Sequence, residues 1–128
     1  MRVRHVTHVE GLMFSISQGE PLLCFVLPQA AVEVGQRNHT IPGGRILQLG
    51  GRRFEPVEVA MRREYQQETG AADGEISILS GIGAPRPHVT GRGEIKLVQG
   101  FAGIVTQPCN QPQFVDEIAS VAWKTRDN

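Results

Sequence analysis

The segment from residue 55 to residue 69 constrains the fold most, because its apolar residues recur with helical spacing between strong boundary signals. Pro56 suits the first helical position and Glu58 places negative charge in the first turn. Gly70 is a natural C-terminal stop. We therefore predict a helix over 55–69 that lays one face against a core.

Two glutamates lie within the apolar face of this helix. On a helical wheel of about 100° per residue, one arc holds Val57, Ala60, Met61, Glu64, Tyr65 and Glu68. Like charges one turn apart repel, and burial of an unpaired carboxylate is costly. A divalent cation such as Mg²⁺ or Mn²⁺ prefers oxygen ligands and would compensate both glutamates. The alternative is a solvated helix end at which both glutamates pair with nearby arginines.

Strands are predicted on both sides of the helix. Alternation and short apolar runs predict strands over 3–17, 22–27, 76–82, 94–106 and 114–124, the first two joined as a hairpin. Loops are predicted over 28–40, 85–93 and 107–113, and a tight glycine turn over 41–44. Residues 45–54 are compatible with a short hairpin or an exposed loop. Because strands and helices do not alternate regularly, an α+β domain is favoured over a doubly wound sheet.

Length and charge exclude several classes of protein. A chain of 128 residues suits one domain, over 1–128. The 13 basic and 13 acidic residues balance, which argues against a protein that coats nucleic acid. No apolar run is long enough for a membrane span, and the N-terminus does not read as a signal peptide, so we expect a cytoplasmic protein. Cys24 and Cys109 show no metal-binding spacing; reduced thiols are favoured, with one bridge left open.

A motif covers the helix and its C-terminal stop. Residues 55–71 read Glu55-x7-Arg63-Glu64-Tyr65-Gln66-Gln67-Glu68-Thr69-Gly70-Ala71. This string resembles the Nudix box, and upstream Pro42-Gly43-Gly44 is similar to the family's proline-glycine-glycine segment. The resemblance implies a Nudix-type αβα sandwich with a mixed central sheet, over nearly the whole chain.

The string departs from the family's pattern at a few positions. Leu49 stands where the strict spacing puts a glycine, and ten residues instead of five separate Gly44 from Glu55, so residues 45–54 look like a five-residue insertion. Tyr65 replaces an aliphatic residue. Gln67 replaces the first glutamate of a pair and brings no charge to a position that is often a metal ligand in the family.

The resemblance also implies a chemistry. Nudix enzymes cleave a nucleoside diphosphate linked to another moiety, by metal-assisted attack of water on phosphorus. It implies Glu64, Glu68 and the Gly43 carbonyl as ligands of Mg²⁺ or Mn²⁺, with Glu64 also orienting or deprotonating the water. Arg63 and Glu55 would hold the glutamates in place, the alternative being a surface salt bridge.

Family members often recruit another acidic residue from a late loop or strand. Asp116 and Glu117 are the candidates, Glu117 being the one assigned to the metal, and a solvated strand start is the alternative. The arginines of the insertion, Arg45, Arg52 and Arg53, could reach phosphates or lie in solvent.

The sequence leaves two functions open. The first is a hydrolase acting on a small-molecule nucleotide, as a possible homodimer by family analogy. The second is a Nudix-like nucleotide-binding or regulatory module with weak or no hydrolysis, which Gln67 favours and the retained Glu64, Glu68 and Arg63 oppose. The substrate itself cannot be read from the loops.

Overall fold

A computed structural model describes residues 5–17 and 19–125 of the chain. Within these residues the elements are β1 (His8–Ser17), β2 (Glu20–Pro28), α1 (Gln29–Glu33), β3 (Gly43–Arg45), β4 (Gln48–Gly50), β5 (Arg53–Phe54), α2 (Val57–Thr69), a 3-10 turn (Asp73–Glu75), β6 (Ile76–Val89), β7 (Ile95–Val105) and β8 (Ile118–Lys124).

The main sheet is mixed and has β1 at its centre. Its strand order is β6-β7-β1-β2-β8, and β3 also pairs with β1. β1 and β7 run parallel, whereas the other pairs are antiparallel. The predicted hairpin of the first two strands is confirmed, with Phe14 opposite Leu23. The α+β class with a mixed central sheet is therefore confirmed.

The helix α2 covers one face of this sheet. Val9 and Met13 of β1 point toward it and are buried against Met61 and Tyr65. A Cβ added at Gly11 would lie 2.9 Å from the Met61 Cε, so the glycine lets the helix approach the strand. Each fully buried apolar side chain of this size stabilises the fold by about 1.5–3 kcal/mol. This packing fixes the side of α2 that carries Glu64 and Glu68.

The ends of α2 follow from its boundary residues. Pro56 lies in extended backbone immediately before the helix, rather than in its first turn. At the other end Gly70 has a φ of 81°, and its N–H donates to the Gln66 carbonyl, as a left-handed helix stop requires. The predicted helix over 55–69 is confirmed, although it begins at Val57 because Glu55 belongs to the extended link after β5.

The glycine turn predicted over 41–44 is wrong. Gly43 and Gly44 form the strand β3 against Glu10 and Val9, and neither has a positive φ. The residues that follow do form a hairpin, β4 with β5, whose tip at Gly50 and Gly51 has positive φ. Of the two possibilities for 45–54, the hairpin is therefore correct.

Four other predicted boundaries are corrected. The loop over 28–40 contains α1, and Pro28 still belongs to β2. The loop over 85–93 is mostly strand, because β6 is an edge strand and can accommodate Pro85 and Pro87; the turn is confined to 90–93.

The last predicted strand, 114–124, begins only at Ile118, since 115–117 form a turn. Within the described part the first strand begins at His8, so residues 5–7 are not strand as predicted, and residues 3 and 4 of that prediction lie outside the described residues. No helix in the described ranges is long and apolar enough to cross a membrane.

Candidate active site

The glycines of β3 lie directly against the two inward-facing glutamates of α2. The Gly43 N–H donates to the Glu68 Oε1 at 2.9 Å. A Cβ at Gly44 would lie only 2.4 to 2.6 Å from the carboxyl atoms of Glu64. Glycine is therefore required here for close approach of backbone to carboxylate, and not for a turn. The Gly43 carbonyl as a metal ligand stays a prediction.

Arg63 joins the start of α2 to the glutamates. Its Nε and Nη2 donate to the two carboxylate oxygens of Glu55, each at 2.9 Å. Glu55 is buried, and its hydrogen bond to Arg63 lowers the pKa of its carboxyl. The Arg63 Nη2 also donates to the Arg45 carbonyl at 3.0 Å, which ties the helix to β3. This bidentate pair is a partly buried anchor rather than a surface salt bridge.

The same guanidinium reaches Glu64. The Arg63 Nη1 donates to the Glu64 Oε1 at 2.9 Å. Burial raises the pKa of Glu64, Arg63 opposes this shift, and the charge of Glu117 adds to it. Glu64 is therefore a half-buried carboxylate whose orientation is set by one arginine.

Glu68 is a deeply buried carboxylate, with 7% of its surface exposed. Burial raises its pKa to about 8; the hydrogen bond from Gly43 opposes the shift, and Glu64 and Glu117 add to it. A carboxyl in this position is mostly protonated at neutral pH unless a cation compensates its charge. A cation close to Glu68 would compensate the charge of its ionised form.

The charge of Glu117 acts on both glutamates, whereas that of Asp116 does not. Its charge raises the pKa of both Glu64 and Glu68, whereas Asp116 is not among the charges that shift either. Glu117 is exposed, in the turn before β8. Of the two acidic candidates, Glu117 is the one whose charge acts on both glutamates, and its role as a metal ligand stays a prediction.

The carboxylate oxygens of Glu64 and Glu68 are donors that a hard divalent cation prefers, although they do not form a complete ligand set with other side chains. Across 5–17 and 19–125, no three His, Cys, Asp or Glu side chains converge as a metal-binding set. Glu64 and Glu68 nevertheless offer carboxylate oxygens whose pKa values are raised chiefly by burial and further by neighbouring carboxylates. Mg²⁺ and Mn²⁺ fit such oxygen donors and would supply the missing positive charge.

Gln67 lies at the edge of this group. Its Oε1 accepts a hydrogen bond from the Arg63 Nη1 at 3.3 Å, so it shares that nitrogen with Glu64. Its backbone carbonyl accepts from the Gln113 N–H at 2.8 Å. The amide oxygen is thus held by the arginine, and a role for it toward metal stays a prediction.

A cavity of about 520 Å³, which we call the basic cavity, opens beside Gly43 and Gly44. Its charged and titratable lining residues are His8, Glu10, Arg86, His88 and Lys96. Sequence reasoning missed this group, because it assigned residues 85–93 to a loop. Had 86–88 been read as strand, the two-residue spacing of Arg86 and His88 would have placed both on one face.

A larger cavity, of about 770 Å³, lies between the start of β1, the insertion and the turn before β7. It contains Arg45 but none of the box residues 55–71. His5 stacks on Phe54 at its wall, with ring centroids 4.1 Å apart. None of Arg45, Arg52 and Arg53 lines the basic cavity, and a role for these arginines toward substrate phosphates stays a prediction.

Comparison with known proteins identifies the fold. No protein-family model and no curated protein sequence matches the chain. Many solved structures do match, and they have the Nudix fold; the resemblance seen in residues 55–71 is therefore confirmed. The chain adopts a Nudix-type α+β fold.

Three particular structures illustrate this similarity. The NUDIX domain of Shewanella oneidensis NrtR, complexed with ADP ribose, has a TM-score of 0.71 at 13% identity, covering 97% of this chain and 75% of its own. A C. elegans Ap4A hydrolase binary complex has a TM-score of 0.68 at 15% identity, and the match covers 94% of this chain and 80% of the hydrolase chain. A MutT NUDIX hydrolase from Burkholderia pseudomallei has a TM-score of 0.62 at 18% identity, and the match covers 98% of this chain and 87% of the hydrolase chain.

Proposed function

We propose that this protein is a Nudix-type hydrolase that cleaves the diphosphate linkage of a nucleoside diphosphate joined to another moiety, with Mg²⁺ or Mn²⁺. The observation that carries the proposal is the contact of Glu64 and Glu68 with the glycine strand, Gly43 hydrogen-bonding Glu68 and Gly44 leaving room for Glu64. Glu117 adds a third carboxylate charge beside them.

Each residue of the site has a role in this proposal. Glu64, Glu68, Glu117 and the Gly43 carbonyl would hold the metal, which would offset phosphate charge and lower the pKa of water. Glu64 orients the attacking water and accepts its proton, a role suited to a half-buried carboxylate with a raised pKa. Arg63 positions Glu64, and Glu55 holds Arg63 in place through the bidentate pair.

The comparisons support a nucleotide as the substrate. One similar structure is an Ap4A hydrolase, and another holds ADP ribose in a NUDIX domain. By analogy we propose a small-molecule nucleotide for this chain. A single domain over 1–128, a cytoplasmic location, a homodimer and the absence of a nucleic-acid partner stay predictions.

A nucleotide-binding module with weak or no hydrolysis is the second candidate. Gln67 favours it, because a neutral amide replaces a charge beside Arg63 and the metal loses a potential anionic ligand. The pair of Arg63 with Glu64 also favours it, since the arginine competes with a cation for that carboxylate.

Hydrolysis assays with and without metal separate the two candidates. The protein is assayed against nucleoside di- and triphosphates, dinucleoside polyphosphates, ADP-ribose and sugar nucleotides. The proposed hydrolase loses activity in excess chelator and regains it with Mg²⁺ or Mn²⁺. Undiminished turnover in chelator would refute the metal-dependent mechanism. Nucleotide binding without turnover under any metal condition would favour the second candidate.

A further inference from the structure

The sheet face opposite α2 is apolar along its middle and partly exposed. Val9 and Met13 of β1 point toward α2, so the residues that alternate with them point to this second face, which we call the open face. Its apolar side chains are Leu12, Phe14 and Ile16 of β1, Leu23 and Phe25 of β2, Ile78 and Ile82 of β6, and Ile104 of β7. The four isoleucines of this set are between 39% and 65% exposed.

The strand registers join these side chains into one surface. Leu23, Phe14, Ile104 and Ile78 lie opposite one another in successive strand pairs and form an apolar row across four strands. Within 5–17 and 19–125 the helices are α1, which has five residues, and α2, which packs on the other face. Contiguous exposed apolar patches mark interaction sites in soluble proteins. The open face therefore has the properties of an interface.

The exposed area indicates what kind of partner the open face fits. A folded monomer of 14.0 kDa exposes about 6,700 Å², whereas this chain exposes 8316 Å². Two copies that each buried the excess of about 1,600 Å² would share about 3,200 Å², within the range of about 2,000–5,000 Å² for obligate homodimers. A docked helix of average length, about 17 Å long and 10 Å across, would cover much less.

The chemistry of the open face also suits a second copy of itself. A twofold interface joins a surface patch to the same patch on the other subunit. Because the central row consists of apolar side chains, no like charges would meet there. Two sheets packed face to face interdigitate such side chains in a layer about 10 Å thick.

The charges at the two ends of the strands favour one orientation of the copies. The basic cavity, with Arg86 and Lys96 against Glu10, lies at one end of the open face. At the other end, beside the link from β1 to β2 and the start of β6, the charged residues are Glu20, Asp73, Glu75 and Lys124. If the strands of the two copies run antiparallel, the basic end of each lies over the acidic end of the other. A parallel arrangement would bring the two basic ends together.

We propose that the open face is the interface of a homodimer, in which a second copy of this chain packs its own open face against it with the strands antiparallel. The inference concerns a surface outside the candidate active site, and it does not depend on the proposed hydrolysis.

Sedimentation equilibrium of the full chain tests the interface. The wild type should be dimeric at micromolar concentrations. Ile78→Glu and Ile82→Glu should each weaken dimerisation about a hundredfold or more, because the interface would bury a carboxylate without a partner. Val59→Glu places the same charge on the exposed side of α2, where Val59 is 50% exposed, and should leave the dimer unchanged.

The folding of each variant is checked by circular dichroism. In a single copy Ile78 and Ile82 are about half exposed, so a glutamate at either position can stay hydrated and the fold should persist. Ile78→Thr keeps the branched shape of the side chain and should weaken dimerisation about tenfold, through the loss of apolar contact alone.

Glu20→Lys tests the orientation. In the antiparallel arrangement it puts a cation over the basic end of the second copy, and it should weaken dimerisation several-fold. In a parallel arrangement position 20 would face its own counterpart, and the dissociation constant would stay the same; an unchanged constant therefore refutes the proposed orientation.

Two results would overturn the interface itself. A monomeric wild type at about 100 µM would mean that something other than a second copy covers the open face. A dimer that withstands both glutamate substitutions on β6 would mean that the copies meet elsewhere.

Discussion

At the scale of single residues, Glu64 carries the chemistry of the proposed mechanism. We predict that Glu64→Gln lowers kcat roughly a hundredfold or more, because it removes both a metal ligand and a proton acceptor. The control is Glu58→Gln on the same helix, which removes an exposed glutamate that pairs with Arg62. Near-normal turnover of Glu64→Gln, measured at saturating substrate and metal, would show that the box residues are not catalytic here.

A substitution at Gln67 tests for a gain in metal affinity. Its amide oxygen shares the Arg63 Nη1 with Glu64, so a carboxylate at position 67 would draw the guanidinium toward itself and leave Glu64 freer to bind metal. We predict that Gln67→Glu tightens Mg²⁺ binding and lowers the metal concentration for half activity. The shift should be smaller for Mn²⁺, which demands less regular geometry. Equal Mg²⁺ affinity in both proteins, by calorimetry, would show that position 67 does not act on the site.

At the scale of elements, the contact between β3 and α2 depends on two glycines that respond differently to a methyl group. A Cβ at Gly44 would meet the movable carboxyl of Glu64, whereas a Cβ at Gly43 would lie 2.2 Å from the Val9 carbonyl oxygen in fixed backbone. We predict that Gly44→Ala costs mainly metal affinity and activity, and that Gly43→Ala costs mainly stability. Urea denaturation and metal titration of both variants separate these effects.

Gly91→Ala is the control, since nothing lies within 4 Å of a Cβ there. An unchanged metal affinity in Gly44→Ala would mean that metal binding does not depend on the observed position of the Glu64 carboxylate.

The same elements show how far sequence reasoning reaches. The helix was predictable because Pro56, Glu58 and Gly70 act locally, on adjacent backbone. The role of Gly43 was not, because a glycine needed for a turn and one needed for close approach look alike in sequence. The extension of β6 through Pro85 was likewise not predictable, because it depends on the position of β6 at the edge of the sheet, which only the whole fold determines.

The candidate site was predictable only where it is local in sequence. The helix residues Glu64 and Glu68 were found from their spacing and from the box. The basic cavity was not found, because His8, Arg86 and Lys96 come together only through the registers of β1, β6 and β7.

At the scale of the whole molecule, the buried acid of the site links stability to pH and to metal. The pKa of Glu68 is about 8 in the folded protein, against 4.5 as its ordinary value. Between these values the folded state keeps a proton that the unfolded state has released. The free energy of unfolding therefore falls as pH rises through this window, by up to about 1.4 kcal/mol per unit from this group. Glu55, whose pKa is lowered, contributes stability that is lost only as pH falls below 4.5.

We therefore predict that the metal-free protein, kept in chelator, loses stability in urea denaturation between pH 5 and pH 8, and that Glu68→Gln flattens this dependence because its amide does not titrate. Glu64, whose pKa is also raised, contributes a slope of the same sign, and His8, whose pKa is lowered, opposes it near and below pH 6.5. At pH 8, where Glu68 ionises, Mg²⁺ should restore the stability of the wild type by binding the folded state, and restore that of Glu68→Gln much less. Identical pH slopes in the two proteins would mean that Glu68 ionises freely in the fold, and the case for a cation beside it would lose its electrostatic basis.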